Sequence, residues 1–116
     1  MSLRIGADVG GTNLRIGVVQ DLKVVHEQRI HADFAAICRN NAPDQALNQI
    51  VDAMSLGLQQ TLSEYAEVSS IGIGFPGFID PQTGILASSP NLPGLHNIDI
   101  AKALSQKIQR PVRVEN

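Results

Sequence analysis

Two runs of alternating apolar residues, separated by a glycine-rich turn, constrain the fold of this chain more than any other feature. Apolar residues alternate with small or polar ones over residues 5–9 and again over 14–19, with Gly-Gly-Thr at 10–12 between them. A period of two is typical of half-buried β-strands, and paired glycines are typical of a tight turn. A third strand is predicted from Val24 to Ile30, after a turn at Gln20 and Asp21. The chain is therefore predicted to begin with an antiparallel meander of three strands.

A long amphipathic helix is predicted after the meander. Apolar residues recur at spacings of three and four from Leu47 to Tyr65, which is the pattern of a helix with one buried face. An asparagine of the pair at 40–41 is predicted to cap this helix, with Pro43 in its first turn. Gly57 interrupts the pattern at a cost of about 1 kcal/mol relative to alanine, which indicates close packing by a neighbouring element.

The second half of the chain is predicted to alternate strands with a helix. A strand at 68–75 is followed by a small hairpin around the turn at 80–84. Asn97 is predicted to cap a second helix with an apolar stripe over 98–108, and a last strand begins at Pro111. Strands separated by helices pair in parallel, so the order β-β-β-α-β-α-β predicts an α/β domain with a mixed sheet.

The composition is that of a single globular domain over residues 1–116, of which 43% are apolar and 17% charged. A net charge of −2 argues against nucleic-acid binding by this chain. The single cysteine, Cys38, excludes an internal disulfide and favours a reducing compartment. The sequence contains neither an apolar run of about 18 residues nor a signal peptide, so a cytoplasmic protein without a membrane span is expected.

The Gly-Gly-Thr turn is a candidate phosphate site. Its glycine spacing does not fit the Rossmann fingerprint, and Thr12 stands where a P-loop needs lysine. Because Gly10 and Gly11 lack Cβ atoms, a phosphate could approach their backbone N–H groups, and Thr12 and Asn13 add side-chain donors. Asp8 could hold Mg²⁺ directly or through a water. The alternative is a plain hairpin whose glycines serve only turn geometry and whose aspartate is simply exposed.

One segment resembles the sugar kinase, Hsp70 and actin superfamily, and three further segments resemble the ROK family. Residues 8–17 (DVGGTNLRIG) are similar to the first phosphate motif of the sugar kinase, Hsp70 and actin superfamily. Residues 71–80 (IGIGFPGFID) resemble the ROK segment G-x-P-G-x-[IV]-D, and 89–94 (SPNLPG) its N-L-x-G loop. Residues 111–116 (PVRVEN) match the strand before the family's catalytic aspartate. The resemblance implies a ribonuclease-H-like, actin-like ATPase domain that forms the N-terminal lobe of an ATP-dependent sugar kinase.

The resemblance also implies roles for individual residues. The implied ATP-binding residues are Asp8, Gly10, Gly11, Thr12 and Asn13, with Mg²⁺ at Asp8. The implied sugar-binding residues are Pro76, Gly77, Asn91, Glu115 and Asn116. For Asn91 a turn-forming asparagine is the alternative, and Leu95 stands where the family's sugar loop has an aromatic residue. The family's catalytic base follows the position matched by Asn116, so no residue of this chain is expected to be catalytic.

The remaining acids and histidines receive structural interpretations. Asp80 is expected to cap the hairpin turn, and Asp99 is expected in the first turn of a helix. The three histidines show no metal-ligand spacing.

The kinase interpretation implies a two-lobed enzyme of which this chain is one lobe. The family's E-x-G-H sugar motif and its zinc segment, which belong to the second lobe, are absent from this sequence. The chain alone is therefore predicted to be inactive, and the whole protein is implied to be a homodimer. Two alternatives stay open, a sugar-sensing ROK transcriptional regulator and a non-catalytic binding module with the ATPase fold.

Overall fold

The computed structural model describes residues 2–115, which form two β-sheets and three helices. In chain order the elements are β1 (Leu3–Val9), β2 (Asn13–Gln20), β3 (Lys23–His31), α1 (Phe34–Asn40), α2 (Pro43–Glu64), β4 (Val68–Gly74), β5 (Phe78–Ile79), β6 (Leu86–Ser88), β7 (His96–Ile98), α3 (Ile100–Ile108) and β8 (Arg113–Glu115). The predicted α/β order is confirmed, with α1 and β7 as additions. No helix within these residues combines the length and the apolar character needed to cross a membrane.

The larger sheet is mixed and has the strand order β3-β2-β1-β4-β8. β1, β2 and β3 form the predicted antiparallel meander. β4 pairs in parallel with both β1 and β8, because α2 and α3 return the chain to the same end of the sheet. The carboxyl ends of β1, β4 and β8 therefore lie at one edge. β5, β6 and β7 form a separate antiparallel sheet.

The helices cover one face of the larger sheet. Side chains on this face of the central strands, such as Ile5, Ile16 and Ile73, are at most 2% exposed. A Cβ on Gly57 of α2 would lie 2.7 Å from Ile30 Cδ1 and 3.1 Å from Ile16 Cδ1. The prediction that Gly57 allows close packing is confirmed, since α2 lies directly on the strands at this point.

The opposite face of the larger sheet, which we call the open face, carries no helix of the described chain. α1 and α3 both contact α2, so the three helices lie on one side, and Arg4, Gly6 and Asp8 of β1 are exposed on the other. Gly6 pairs with Gly17 of β2 and with Gly72 of β4. This row of three glycines, which crosses β2, β1 and β4, therefore presents no side chains on the open face.

Helix α1 does not follow from the sequence pattern, because only Phe34 and Cys38 of its seven residues are buried. The prediction that an asparagine caps the long helix is wrong. Ala42 occupies the N-cap of α2 and provides no side-chain cap. Asn41 belongs instead to the end of α1, where its Nδ2 donates to Ile37 O at 2.9 Å.

The prediction that Asn97 caps the second helix is also wrong. Asn97 lies in β7 with a φ of 53°, and Asp99 caps α3 by accepting from the Lys102 amide at 3.0 Å. Ile98 belongs to β7 as well, where it pairs with Leu86 of β6. Local periodicity does not reveal this pairing, because the two strands come from separate segments.

Candidate functional site

The predicted site residues gather at the edge where β1, β4 and β8 end. The turn at 10–12 follows β1, residues 75–77 follow β4, and Glu115 closes β8. The Phe75 amide donates to Glu115 O at 2.7 Å, which ties the end of β4 to the end of β8. In open α/β sheets, ligands bind outside the carboxyl ends of parallel strands. This edge is therefore the candidate site.

The glycine-rich turn has two backbone amides to offer. Gly10 N donates to Asn13 O at 2.8 Å, so the Gly10 amide is committed to the turn. The amides of Gly11 and Thr12 have no acceptor within residues 2–115. Asn13 Nδ2 donates to Thr12 Oγ1 at 3.1 Å. The amides of Gly11 and Thr12 can therefore bind a phosphate that approaches the backbone. Gly10 only leaves space for it, because it has no side chain.

Helix α1 sets the orientation of this turn. Gly11 O accepts from the Ala35 amide at 3.2 Å, and Thr12 O accepts from the Ala32 amide at 2.9 Å. Ala35 lies in the first turn of α1, where backbone N–H groups have no acceptor within the helix. Because the peptide is planar and trans, the Gly11 carbonyl that faces α1 directs the Thr12 N–H away from it. Sequence reasoning missed this contribution of α1.

The described fold does not itself require glycine at positions 10 and 11. A positive φ, which favours glycine, occurs at three other described glycines and not at these two. A Cβ on Gly11 would meet nothing within 4 Å, and one on Gly10 would meet only Asn13 O at 3.5 Å. The alternative that these glycines serve only the geometry of the turn is therefore not supported, because other residues can adopt the same backbone conformation. The open space fits a ligand that comes close to the backbone.

The carboxylate of Asp8 is exposed beside this turn. Its cross-strand neighbour is Arg15, but Arg15 Nε pairs with Glu27 Oε1 at 3.6 Å. No hydrogen bond or ion pair within the described chain engages the carboxylate of Asp8. Carboxylate oxygens are ligands that Mg²⁺ prefers. Free amides and an uncommitted carboxylate at one strand end therefore fit a phosphate group with its magnesium ion.

Gly77 brings a second loop to the same edge. Gly77 has a φ of 134°, and a Cβ there would lie 2.5 Å from Ser88 O and 3.1 Å from Ser89 Cα. Glycine is required at this position for both reasons. The contact places residues 88–89, which lead into the Asn91 loop, directly against the end of β4.

In the loop around Asn91, one polar side chain is exposed and two leucine side chains are buried. Asn91 is exposed, whereas Leu92 and Leu95 are 0% exposed. Leu95, which stands where the family's sugar loop has an aromatic residue, is part of the core. Pro76, Gly77 and Glu115 come together at the strand ends, but Asn91 makes no hydrogen bond to them within residues 2–115. Asn116, predicted to face the sugar, lies outside the described residues.

The other polar side chains that the sequence singled out serve the fold. Asp80 Oδ1 accepts from the Gln82 amide at 2.8 Å and from the Thr83 amide at 3.3 Å, which confirms the predicted turn cap. Burial raises the pKa of the Cys38 thiol, against a smaller opposite effect of the Arg39 charge. A raised pKa disfavours the thiolate, so Cys38 is unsuited to act as a nucleophile. Residues 2–115 contain no cluster of three or more metal-ligating side chains.

Comparison with known proteins places these features in a family. The model of the ROK family matches residues 4–116. The chain is 30% identical to glucokinase from Thermotoga maritima over 113 residues, which are 97% of this chain and 32% of that protein. It is 31% identical to N-acetyl-D-glucosamine kinase from Haemophilus influenzae over 112 residues, 96% of this chain and 33% of that protein. The chain thus spans about a third of the length of these curated relatives.

Solved structures share the fold. Inorganic polyphosphate/ATP-glucomannokinase from Arthrobacter sp. strain KM has a TM-score of 0.77 and 28% identity, over 100% of this chain and 44% of that one. A ROK family transcriptional regulator has a TM-score of 0.73 at 19% identity, over 98% of this chain and 27% of that one, a likeness of fold alone. The predicted actin-like ATPase fold is confirmed. Since the family model matches all but the first three residues, the chain belongs to the ROK family, and its relatives include sugar kinases.

Proposed function

We propose that this chain is the N-terminal lobe of an ATP-dependent sugar kinase that transfers the γ-phosphate of ATP to a hydroxyl of a hexose or an N-acetylhexosamine. The turn at 10–12 carries the proposal, because its glycines are not required by the described fold and its free amides lie beside the uncommitted carboxylate of Asp8. The glucokinase and N-acetyl-D-glucosamine kinase among the relatives support the substrate class.

On the nucleotide side, the amides of Gly11 and Thr12 would hold the phosphates, with Gly10 leaving room for them. The Thr12 hydroxyl and the Asn13 amide group are further donors to phosphate oxygens. Asp8 would hold Mg²⁺ directly or through a water. When bound, the metal neutralises charge on the phosphates, and the protein's own part is to position both groups beside the strand end.

On the sugar side, the planar amide of Asn91 offers a donor and an acceptor to neighbouring hydroxyls. Pro76, Gly77 and Glu115 would form the wall of the same pocket, and Asn116 would extend it. Phosphoryl transfer also needs a carboxylate that accepts the proton of the attacking hydroxyl. We expect that carboxylate directly after Asn116.

A sugar-sensing transcriptional regulator of the same family is the second candidate, because a regulator shares the fold. A sugar sensor has no need of a phosphate site. The free amides at Gly11 and Thr12 and the uncommitted Asp8 carboxylate therefore favour the kinase. The two candidates differ in whether the bound sugar is turned over.

The experiment that separates them is sugar-dependent ADP release by the full-length protein, measured with Mg-ATP over a panel of hexoses and N-acetylhexosamines. The melting temperature is measured with each sugar in parallel. We expect ADP release with at least one sugar of the panel. If a sugar raises the melting temperature but no sugar causes ADP release, the regulator is favoured over the kinase.

A further inference from the structure

Gly74 of β4 lies between two carboxylates on the open face. Asp8 of β1 pairs with Gly74, and Gly74 pairs with Glu115 of β8. The three residues form one cross-strand row at the candidate edge, in which the α-carbons of Asp8 and Glu115 are roughly 10 Å apart, twice the distance between neighbouring strands. The middle position of this row has no side chain.

The carboxylate of Asp8 leans over this empty position. A Cβ built on Gly74 would lie 3.1 Å from Asp8 Oδ1. On the other side of β1, the guanidinium of Arg15 is directed to Glu27 at 3.6 Å. Asp8 therefore lies toward β4 instead of pairing with its cross-strand cation, and its position depends on the space above Gly74.

The backbone gives no other reason for glycine at this position. The φ of Gly74 is not positive, and the next contact of a Cβ there would be Ala7 O at 3.7 Å, an ordinary van der Waals distance. Gly72 is two residues earlier on the same strand and faces the same side, and a Cβ there would meet nothing within 4 Å. The one close contact that distinguishes Gly74 from Gly72 is the contact with the carboxylate of Asp8.

We infer that Gly74 is a positioning residue, whose missing side chain lets the Asp8 carboxylate lie over β4 where it can hold the Mg²⁺ that accompanies ATP. The inference rests on the proposed function. A methyl group at this position would force the carboxylate to shift by a few tenths of an ångström, which is more than a metal–ligand distance tolerates, and would leave the Gly11 and Thr12 amides untouched. Gly74 thus acts on the metal-dependent part of nucleotide binding through Asp8.

The test compares Gly74→Ala with Gly72→Ala in the full-length protein. The affinity for ATP is measured by calorimetry with excess MgCl₂ and again with EDTA. For each variant, the ratio of the affinity with magnesium to the affinity without it is then calculated. We expect Gly74→Ala to lower this ratio by about 10-fold, the effect typical of disturbing the support of a metal ligand. Gly72→Ala, which adds the same methyl group to the same strand, should leave the ratio unchanged.

A double-mutant cycle with Asp8→Asn shows whether Gly74 acts through Asp8. In the Asp8→Asn background, Gly74→Ala should have no further effect on the ratio. An unchanged ratio in Gly74→Ala, or an equal loss in Gly72→Ala, would overturn the inference while leaving the proposed function intact. Wild-type protein that does not bind Mg-ATP would overturn both.

Loss of folding in Gly74→Ala is tested by the double variant Asp8→Ala with Gly74→Ala, which removes the close contact. If Gly74→Ala alone unfolds and the double variant melts like Asp8→Ala, the contact between the two residues is established and the inference stands. If both unfold, Gly74 serves something other than Asp8 and the inference is wrong.

Discussion

Single glycines in this chain serve different purposes, which their surroundings distinguish. Gly57 is crowded by side chains of β2 and β3, and Gly77 has a positive φ with a carbonyl against it. Gly11 has neither constraint. The sequence predicts the role of Gly57 from its place in an apolar helix face. The freedom of Gly11 is visible only once the backbone is known, because a paired glycine is equally typical of a strained turn.

Replacing Gly11 by alanine should therefore separate binding from stability. We expect Gly11→Ala to change the free energy of unfolding by less than about 1 kcal/mol, since the backbone is unstrained and the space is open. The affinity for ATP should fall, because the methyl group occupies the path to the amides. Thermal melting and calorimetry on the full-length protein measure the two quantities.

Gly57→Ala is the control for that substitution. Its methyl group would overlap Ile30 and Ile16, so a destabilisation of about 1–3 kcal/mol is expected, with ATP affinity kept in the folded fraction. If Gly11→Ala bound ATP as the wild type does, the phosphate role of the turn would be wrong.

Among the elements, those with a long pattern are predictable and those held by tertiary contacts are not. The meander, α2 and the last helix follow from apolar periods in the sequence. α1 has two buried residues and β7 has three residues in all, so neither forms a recognisable period. The sequence signal that was available for α1 is Asp33, which precedes an apolar residue as helix caps do. The orientation of the phosphate turn was unpredictable for the same reason, since α1 provides it.

Removal of the cap of α1 should therefore weaken nucleotide binding. Asp33 Oδ1 accepts from the Ala36 amide at 2.9 Å, and Asp33→Ala is expected to cost about 1 kcal/mol of stability. ATP affinity should also fall, because the first turn of α1 holds the carbonyl of Gly11 through the Ala35 amide. Melting and ATP titration of the full-length protein measure both effects.

Asp99→Ala is matched to Asp33→Ala, since Asp99 caps α3 by the same kind of bond at 3.0 Å. It should cost a similar free energy and leave ATP affinity unchanged, because no hydrogen bond among the described residues joins α3 to the turn. Equal losses of ATP affinity in the two variants would mean that general destabilisation, and not the orientation of the turn, governs binding.

At the scale of the whole molecule, one edge of the sheet carries both the turn that we propose to bind phosphate and the residues at the ends of β4 and β8 that we propose to contact the sugar. The candidate residues were recognisable as motifs and their roles stay predictions, and the structure adds that the turn, the end of β4 and the end of β8 are neighbours. The position of the exposed Asn91 side chain could not be predicted, because it depends on how Leu92 and Leu95 anchor the loop in the core. A cytoplasmic homodimer stays a prediction.

The 116-residue chain alone should not phosphorylate a sugar. The proposed phosphate and sugar residues Asp8, Thr12 and Asn91 are exposed in this chain, and phosphoryl transfer requires the two substrates to be held together away from water. Sugar phosphate is measured for this chain and for the full-length protein under the same conditions. Product above an enzyme-free control from the chain alone would show that one lobe is sufficient.

The central claim, that the turn and the Asn91 loop serve one reaction, is tested most directly by steady-state kinetics of Thr12→Ala and Asn91→Ala in the full-length protein. We predict that Thr12→Ala raises the KM for ATP with little change in the KM for the sugar. Asn91→Ala should do the reverse, so each variant is the control for the other. Sugar-dependent turnover in which both variants keep the KM values of the wild type would contradict the account.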